Sequence, residues 1–170
     1  MLAMFYNCSN LKSVNLSSFD TKKVTTIANM FFKCPSLVSL DLSNFDLSSM
    51  TSETGRSSGY SGVFNGCSSL QTITFGNKFC TARDGISTTM MAMFTGCSSL
   101  TILDLSSFDM SNVTDAGSMF SNCSALTTLK TPKNVSSSLS ISLPKRMYDK
   151  DNYYNLCLSL PTGLAVSHTL

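Results

Sequence analysis

A short motif recurs five times in the first 126 residues, and this recurrence constrains the fold more than any other feature of the chain. It reads Met/Val-Phe-x-x-Cys-x-x-Leu, and its five anchor cysteines are Cys8, Cys34, Cys67, Cys97 and Cys123. Successive anchor cysteines are 26, 33, 30 and 26 residues apart, so the basic period is 26 with insertions of seven and four residues. A fixed period of this length indicates a repeat protein, in which each unit buries its apolar face by stacking on its neighbours.

The pattern within each period predicts two kinds of element. Residues Leu37 to Leu42 follow Leu-x-x-Leu-x-Leu, and the last two apolar residues alternate with polar ones, which is typical of a strand with one buried face. From Val24 to Cys34 the apolar residues are three and four apart, which is typical of one face of a short helix. We therefore expect an α/β solenoid, a leucine-rich-repeat stack with one parallel strand and one short helix per repeat, whose strands form one sheet.

Two segments in particular, Met30 to Asp46 and Met93 to Thr114, resemble the BspA-like leucine-rich-repeat surface proteins. The repeat of that family reads roughly Met-Phe-x-x-Cys-x-x-Leu-x-x-Leu-x-Leu-Ser-x-Phe-Asp-x-Ser-x-Val-Thr-x-Met. The resemblance covers about residues 1–131. It implies a secreted or surface-attached protein implicated in adhesion. This chain departs from the pattern by its two insertions and by a start that has no basic and apolar regions of an export signal.

The repeat boundaries divide the chain into a leucine-rich-repeat unit at 1–131 and a C-terminal β-rich cap at 132–170. Met1 aligns with Ile27 and Ala116, so the first repeat is expected to be incomplete. Because repeat stacks need covered ends, this uncapped N-terminal end is expected to stack on further repeats. The insertions within 50–63 and 77–89 are rich in Gly, Ser and polar residues, and we expect them to be loops.

Composition excludes two classes of partner. Only 13% of the residues are charged, whereas Ser and Thr number 31 and 18, so the surface is polar but weakly charged. The net charge is +2, and the scattered Lys and Arg form no basic stripe that would follow a phosphate backbone, so nucleic acid is not expected. No apolar run approaches the roughly 18 residues of a membrane span, so membrane insertion is not expected either.

The residues that could carry chemistry have structural interpretations. The anchor cysteines lie on the apolar face and are expected to be buried free thiols, with disulfides or a metal as weaker alternatives. Asp20, Asp46 and Asp109 follow Phe and are expected to form Asx-turns or helix caps, with calcium as the weaker alternative. His168 is the single histidine and lies three residues from the end. The sequence therefore predicts a protein that is not an enzyme and that uses no cofactor or metal.

The outward positions of the strand ladder are the candidate binding site. Residues beside the buried strand positions should face away from the core and form one surface. The candidate ligand-binding residues on this surface are Asn15, Asp41, Thr74, Ile102, Asp104 and Lys130. The rival site lies in the two insertions, which contain Arg56, Tyr60 and Arg83, because binding residues are often found on loops.

The leading functional hypothesis is a non-catalytic binding module of a secreted or cell-surface protein, which engages a protein or glycan on another cell or in the matrix. The extracellular or cell-surface location follows from the family resemblance. Two alternatives remain open at this point. One is a structural spacer array, and the other is an intracellular protein-interaction module, which the missing export signal favours.

Overall fold

The computed structural model describes residues 1–51, 59–80, 86–136, 139–141 and 165–166. Its strands are β1 (Ser39–Leu42), β2 (Thr72–Phe75), β3 (Thr88–Thr89), β4 (Ile102–Asp104), β5 (Asp109–Met110), β6 (Val113–Asp115), β7 (Thr128–Lys130), β8 (Asn134–Val135), β9 (Ser140–Ile141) and β10 (Ala165–Val166). They form five two-stranded sheets, β1–β2, β3–β6, β4–β7, β5–β8 and β9–β10, and every pair is parallel. No helix in the described ranges is long and apolar enough to cross a membrane.

The expected α/β solenoid with a short helix in each repeat is wrong. The described residues contain no helix, and the segment from Val24 to Cys34 consists of turns and irregular backbone. The single sheet is also wrong, because β2 and β4 are in contact but the hydrogen-bonded pairs are β1–β2 and β4–β7. The alternation of the strands is confirmed, since β1 buries Leu40 and Leu42 and exposes Ser39 and Asp41.

Left-handed residues in the turns exclude a helix. Asn29 and Lys33 have φ angles of 56° and 55°. The equivalent pairs in the other repeats, Ala3 and Asn7, Gly62 and Gly66, Ala92 and Gly96, and Ser118 and Asn122, also have positive φ. A right-handed helix cannot contain a left-handed residue at every fourth position. The apolar residues are therefore three and four positions apart because two turns follow each other, not because they lie on one face of a helix.

The amides of these turns bind the next repeat. The backbone amide of each motif phenylalanine donates to a carbonyl of the next repeat, with nitrogen–oxygen distances of 2.8–3.0 Å. Phe5 donates to Met30, Phe31 to Val63, Phe64 to Met93, and Phe94 to Met119. An α-helix would need each amide for the carbonyl four residues earlier in its own segment. Because that donor is already used between repeats, the same apolar pattern folds into a ladder of turns.

The core of this ladder is a column of aromatic rings. The motif phenylalanines stack in the order Phe5, Phe31, Phe64, Phe94 and Phe120, with centroids 5.1, 6.0, 5.4 and 5.9 Å apart and interplanar angles of 21° or less. Burial of these rings and of the Leu ladder supplies the hydrophobic stabilisation that a single repeat could not achieve alone. The strands lie at the edge of this core, which fixes which of their side chains face outward.

The division at residue 131 stays a prediction. β8 continues the repeat pattern by pairing with β5, and Asn134 lies opposite Asp109. β9 and β10 pair with each other farther along. Residues 142–164 and 167–170, which include Cys157 and His168, lie outside the described residues. The central parts of the two insertions, at 52–58 and 81–85, lie outside them as well.

Candidate functional site

Strand register brings the candidate binding residues into two groups on the outward face. In the first, Asp41 of β1 lies directly opposite Thr74 of β2, and both are exposed. In the second, Asp104 of β4 lies opposite Lys130 of β7, two residues after the exposed Ile102. Since β2 and β4 are in contact, the two groups are neighbours on one surface. We call the candidate residues on these strands, together with Asn15, the strand face.

Asn15 joins the first group across a small surface pocket. The pocket has a volume of about 110 Å³ and lies between the first two repeats. It is lined by Val14, Asn15, Leu16, Ser17, Asp41, Ser43 and Asn44. The segment that contains Asn15 is not a regular strand, so the first repeat contributes to the strand face from irregular backbone.

The polar residues of the strand face have a second role as turn formers. Asn15, Asp41 and Asp104 each accept a hydrogen bond through Oδ1 from the amide two residues later, at 2.9–3.0 Å. This contact is an Asx-turn. This role was not predicted at these positions, although the pattern Asn/Asp-x-Ser occurs at all three. Only part of each side chain therefore remains for a ligand.

Two of the candidate residues form an ion pair with each other. Lys130 Nζ lies 2.8 Å from Asp104 Oδ2, and the Ser106 hydroxyl donates to Asp104 Oδ1. Burial opposes ionisation of this carboxyl, but the hydrogen bonds from Lys130 and Ser106 outweigh it and lower the pKa of Asp104 from 3.8 to about 2. The carboxylate is thus fixed in its charged form, with its charge partly neutralised by Lys130.

The aspartates after Phe form the predicted Asx-turns. Asp20, Asp46 and Asp109 each accept the amide two residues later at 3.1 Å, which confirms the turn interpretation. Asp46 also pairs with Lys78 at 2.9 Å. Hydrogen bonds, chiefly from the Ser48 side chain and then from Lys78, lower the pKa of Asp46 to about 2. These carboxylates are engaged in turns and one ion pair.

The described residues give no support to the weaker alternative of a metal site. No group of three or more His, Cys, Asp or Glu side chains in the described ranges is arranged to hold a metal ion. Asp20 and Asp46, the pair for which calcium was the weaker alternative, accept the amides of Lys22 and Ser48.

The anchor thiols are free, as predicted. Cys34, Cys67, Cys97 and Cys123 are buried, and Cys8 is half-buried. Each buried thiol donates to a phenylalanine carbonyl of the preceding repeat at 3.0–3.2 Å. Burial raises the pKa of Cys67 to about 12 and that of Cys123 to about 11. Because the thiolate is the reactive form, these thiols are structural groups with low reactivity.

The rival site in the insertions loses its aromatic residue. Tyr60 is only 2% exposed, and its hydroxyl donates to the Phe79 carbonyl at 2.8 Å. Its ring packs against Phe79 with centroids 5.7 Å apart. Tyr60 is therefore a core residue and cannot contact a partner directly. Arg56 and Arg83 lie outside the described residues.

Comparison with known protein families gives a match over most of the chain. A family model described as "Mycoplasma protein of unknown function, DUF285" matches residues 1–72 and 54–144. The two matches together span most of the chain and all five copies of the motif. Neither a curated protein nor a solved structure matches the chain.

Proposed function

Given that the chain belongs to the DUF285 family of Mycoplasma proteins, we propose that it is a non-catalytic binding module of a BspA-like surface protein. Its strand face engages a protein or glycan on another cell or in the extracellular matrix. The observation that carries the proposal is the row of exposed polar side chains that parallel register aligns across successive repeats. The secreted or cell-surface location rests on the repeat resemblance.

The chemistry of the strand face suits polar ligands held by many weak contacts. Asp41, Thr74 and Asn15 offer hydroxyl, amide and carboxylate groups around one pocket, and Ile102, at 58% exposure, offers an apolar contact. Tight protein interfaces usually depend on buried Trp, Tyr and Arg anchors, and none of the candidate residues is of these types. We therefore expect weak affinity for each contact, strengthened when many copies act together on a surface.

The non-catalytic character is supported by the state of the polar groups. The hydroxyls of Ser48, Ser106 and Ser111 donate to the aspartates two residues earlier. A serine nucleophile needs a base that accepts its proton near neutral pH. The pKa values of Asp46 and Asp104 are lowered to about 2, so these carboxylates are poor bases for that purpose.

An adhesion assay tests the strand face. Beads coated with the protein are measured for attachment to an epithelial cell monolayer and to an immobilised extracellular-matrix extract. The test variant carries Asp41→Lys, Thr74→Lys and Asp104→Lys. We expect the parent to attach and the variant to lose attachment while it still folds, with a lower melting temperature than the parent because two Asx-turns and the Asp104–Lys130 ion pair are lost. Treatment of the cells with protease or with glycosidase then separates protein from glycan ligands.

The matched control carries Asp20→Lys, Thr114→Lys and Asp115→Lys. These residues are exposed and outside the strand face, the formal charge changes equally, and Asp20 and Asp115 also form Asx-turns. Attachment by the control together with loss in the test variant supports the proposal. Equal attachment by both variants would overturn the assignment of the strand face, and attachment by neither the parent nor the variants would favour the structural spacer.

A further inference from the structure

Three aspartates of the repeats use both carboxylate oxygens within the chain. In each of them Oδ1 accepts the backbone amide two residues later, and Oδ2 accepts a side-chain nitrogen of the next repeat at 2.8–2.9 Å. The pairs of acceptor and donor residues are Asp46 with Lys78, Asp104 with Lys130, and Asp109 with Asn134. The next repeat therefore supplies a donor for Oδ2 in each of these three cases.

Asp41 has no such donor. Its Oδ1 accepts the Ser43 amide at 2.9 Å, and hydrogen bonds from the hydroxyl and the amide of Ser43 lower the pKa of Asp41, so the side chain is ionised at neutral pH. The residue opposite it in the next repeat is Thr74. In the part of the chain that the structure describes, no residue other than Ser43 donates to this carboxylate. Because a carboxylate accepts about four hydrogen bonds, Asp41 presents an exposed negative charge with unused acceptor positions.

Asp41 lies at a pocket whose walls are partly apolar. The pocket, of about 110 Å³, lies between the first two repeats, and Val14 and Leu16 line it together with Asp41. Asn44 also lines it, and its side-chain nitrogen donates to the backbone carbonyls of Leu16 and Ser17 at 3.1 and 3.2 Å. These two bonds fix the Asn44 amide and leave its Oδ1 without a donor among the described residues. The pocket thus combines a carboxylate, a second acceptor oxygen and apolar surface.

From this combination we infer that the pocket binds the ammonium group of a lysine side chain on a protein ligand. The ammonium donates to Asp41 and to Asn44 Oδ1, and the methylene groups of the lysine lie against Val14 and Leu16. Lysine suits such a site because its stem is apolar and its charged end carries three donors. The inference rests on the proposed function, since it names the chemical group that one part of the strand face binds.

Other donors fit the pocket less well. A guanidinium binds a carboxylate best through two parallel hydrogen bonds, one to each oxygen, but Oδ1 of Asp41 already accepts the Ser43 amide. A neutral sugar hydroxyl leaves the charge of Asp41 uncompensated. An amino sugar carries its ammonium directly on a ring, whereas a pocket of about 110 Å³ holds only roughly four water molecules. Within the chain, a lysine binds an aspartate of the same face, since Lys130 Nζ lies 2.8 Å from Asp104 Oδ2.

Titration of the isotope-labelled protein with Nα-acetyl-lysine amide tests this subsite. The readout is the NMR resonance of the Ser43 amide, because this amide donates to Asp41. We expect a saturable shift at millimolar ligand, since exposed ion pairs are weak. Nα-acetyl-norleucine amide, which has the methylene stem but no ammonium, should give no such shift. The Lys22 amide, which donates to Asp20 in the same kind of turn, reports non-specific pairing with a carboxylate and should shift much less.

Two variants separate this subsite from general charge effects. Asp41→Asn removes the carboxylate but keeps the Asx-turn, because an asparagine at this position accepts the amide through Oδ1, as Asn15 does from Ser17. This variant should remain folded and lose the saturable shift. Asp20→Asn is the matched control, because it removes the same charge from another Asx-turn, and it should bind Nα-acetyl-lysine amide as the parent does.

Equal shifts of the Ser43 and Lys22 amides, or binding by Asp41→Asn that matches the parent, would overturn the inference. Tighter binding of Nα-acetyl-arginine amide or of glucosamine would also overturn it, because the ligand would then carry a guanidinium or a ring-borne ammonium. Failure of the titration with normal attachment of the parent in the adhesion assay contradicts the subsite alone. A normal titration without attachment supports the subsite and contradicts the proposed function.

Discussion

The thiol of Cys97 donates a hydrogen bond to the carbonyl oxygen of Phe64, one repeat earlier, at a sulfur–oxygen distance of 3.2 Å. The Phe64 amide in turn donates to Met93, so the two repeats exchange contacts in both directions. Cysteine suits this position because it is small, apolar and a weak donor. A repeated motif of Phe and Cys therefore encodes the interface between neighbours as well as the core.

The buried thiols should make the protein unstable in alkali. The folded-state pKa of Cys67 is about 12 and that of Cys123 about 11, against an ordinary value of 9.0. Above pH 9 the unfolded chain loses thiol protons that the folded chain retains. Stability from these groups is thus complete below pH 9 and falls as the pH rises towards 11 and 12. Melting temperatures measured from pH 7 to 11 should fall above pH 9.

A variant with Cys67→Ala and Cys123→Ala provides the control for the alkaline effect. It should be less stable at neutral pH, because it loses buried contacts, but its melting temperature should depend less on pH above 9. An equally steep alkaline decline in this variant would mean that other groups cause it.

Two adjacent residues of β4 should differ sharply in their effect on stability. Leu103 is buried and Ile102 is exposed. Leu103→Ala should reduce the free energy of unfolding by about 2–5 kcal/mol, because it leaves a cavity in the stack. Ile102→Ala should change it by about 0.5 kcal/mol or less. Urea unfolding measures both values, and similar losses in the two variants would contradict the register of β4.

The turn at Gly96 should tolerate Asn but not Val. Gly96 has a φ of 75°, and an added Cβ would meet only ordinary contacts with Gly66, so the backbone conformation is the deciding factor. Gly96→Val should cost at least about 1–2 kcal/mol, the usual price of a left-handed residue. Gly96→Asn should cost less, since Asn7 and Asn122 adopt this conformation at the equivalent position. Thermal melts of the two variants test this order of stability.

The acidic pKa of Asp104 should depend on Lys130. Its folded pKa of about 2 lies below the ordinary 3.8, so its contribution to stability is present above pH 3.8 and is lost as the pH falls towards 2. Lys130→Met should raise this pKa, and NMR titration of the side-chain carboxyl measures the change. An unchanged pKa in Lys130→Met would show that the ion pair does not form in solution.

The sequence predicted the strands better than the turns. Alternation in Leu40-Asp41-Leu42 predicts one buried and one exposed side, because side chains of a strand point to opposite faces. The spacing of apolar residues from Val24 to Cys34 fits a short helix as well as it fits two successive turns. Periodicity alone does not distinguish the two structures. The distinguishing signal was the residue before each anchor cysteine, which is Asn or Gly in four of the five motifs. These residue types favour the left-handed conformation.

The sequence predicted that the candidate residues lie on the outward face of the strands, but it did not predict the contacts that they make with one another. Register follows from the 26-residue period, and it places Asp104 and Lys130 opposite each other. That they form an ion pair depends on side-chain geometry, which a period cannot specify.

Scalar coupling through the hydrogen bond of the Phe64 amide tests the ladder of turns most directly. Turn amides join the repeats, and this ladder aligns the strand face. In isotope-labelled protein, the Phe64 amide nitrogen should couple to the carbonyl carbon of Met93, its acceptor at 2.9 Å. Coupling to the carbonyl of Tyr60, four residues earlier, would show a helix in this segment and would contradict the ladder.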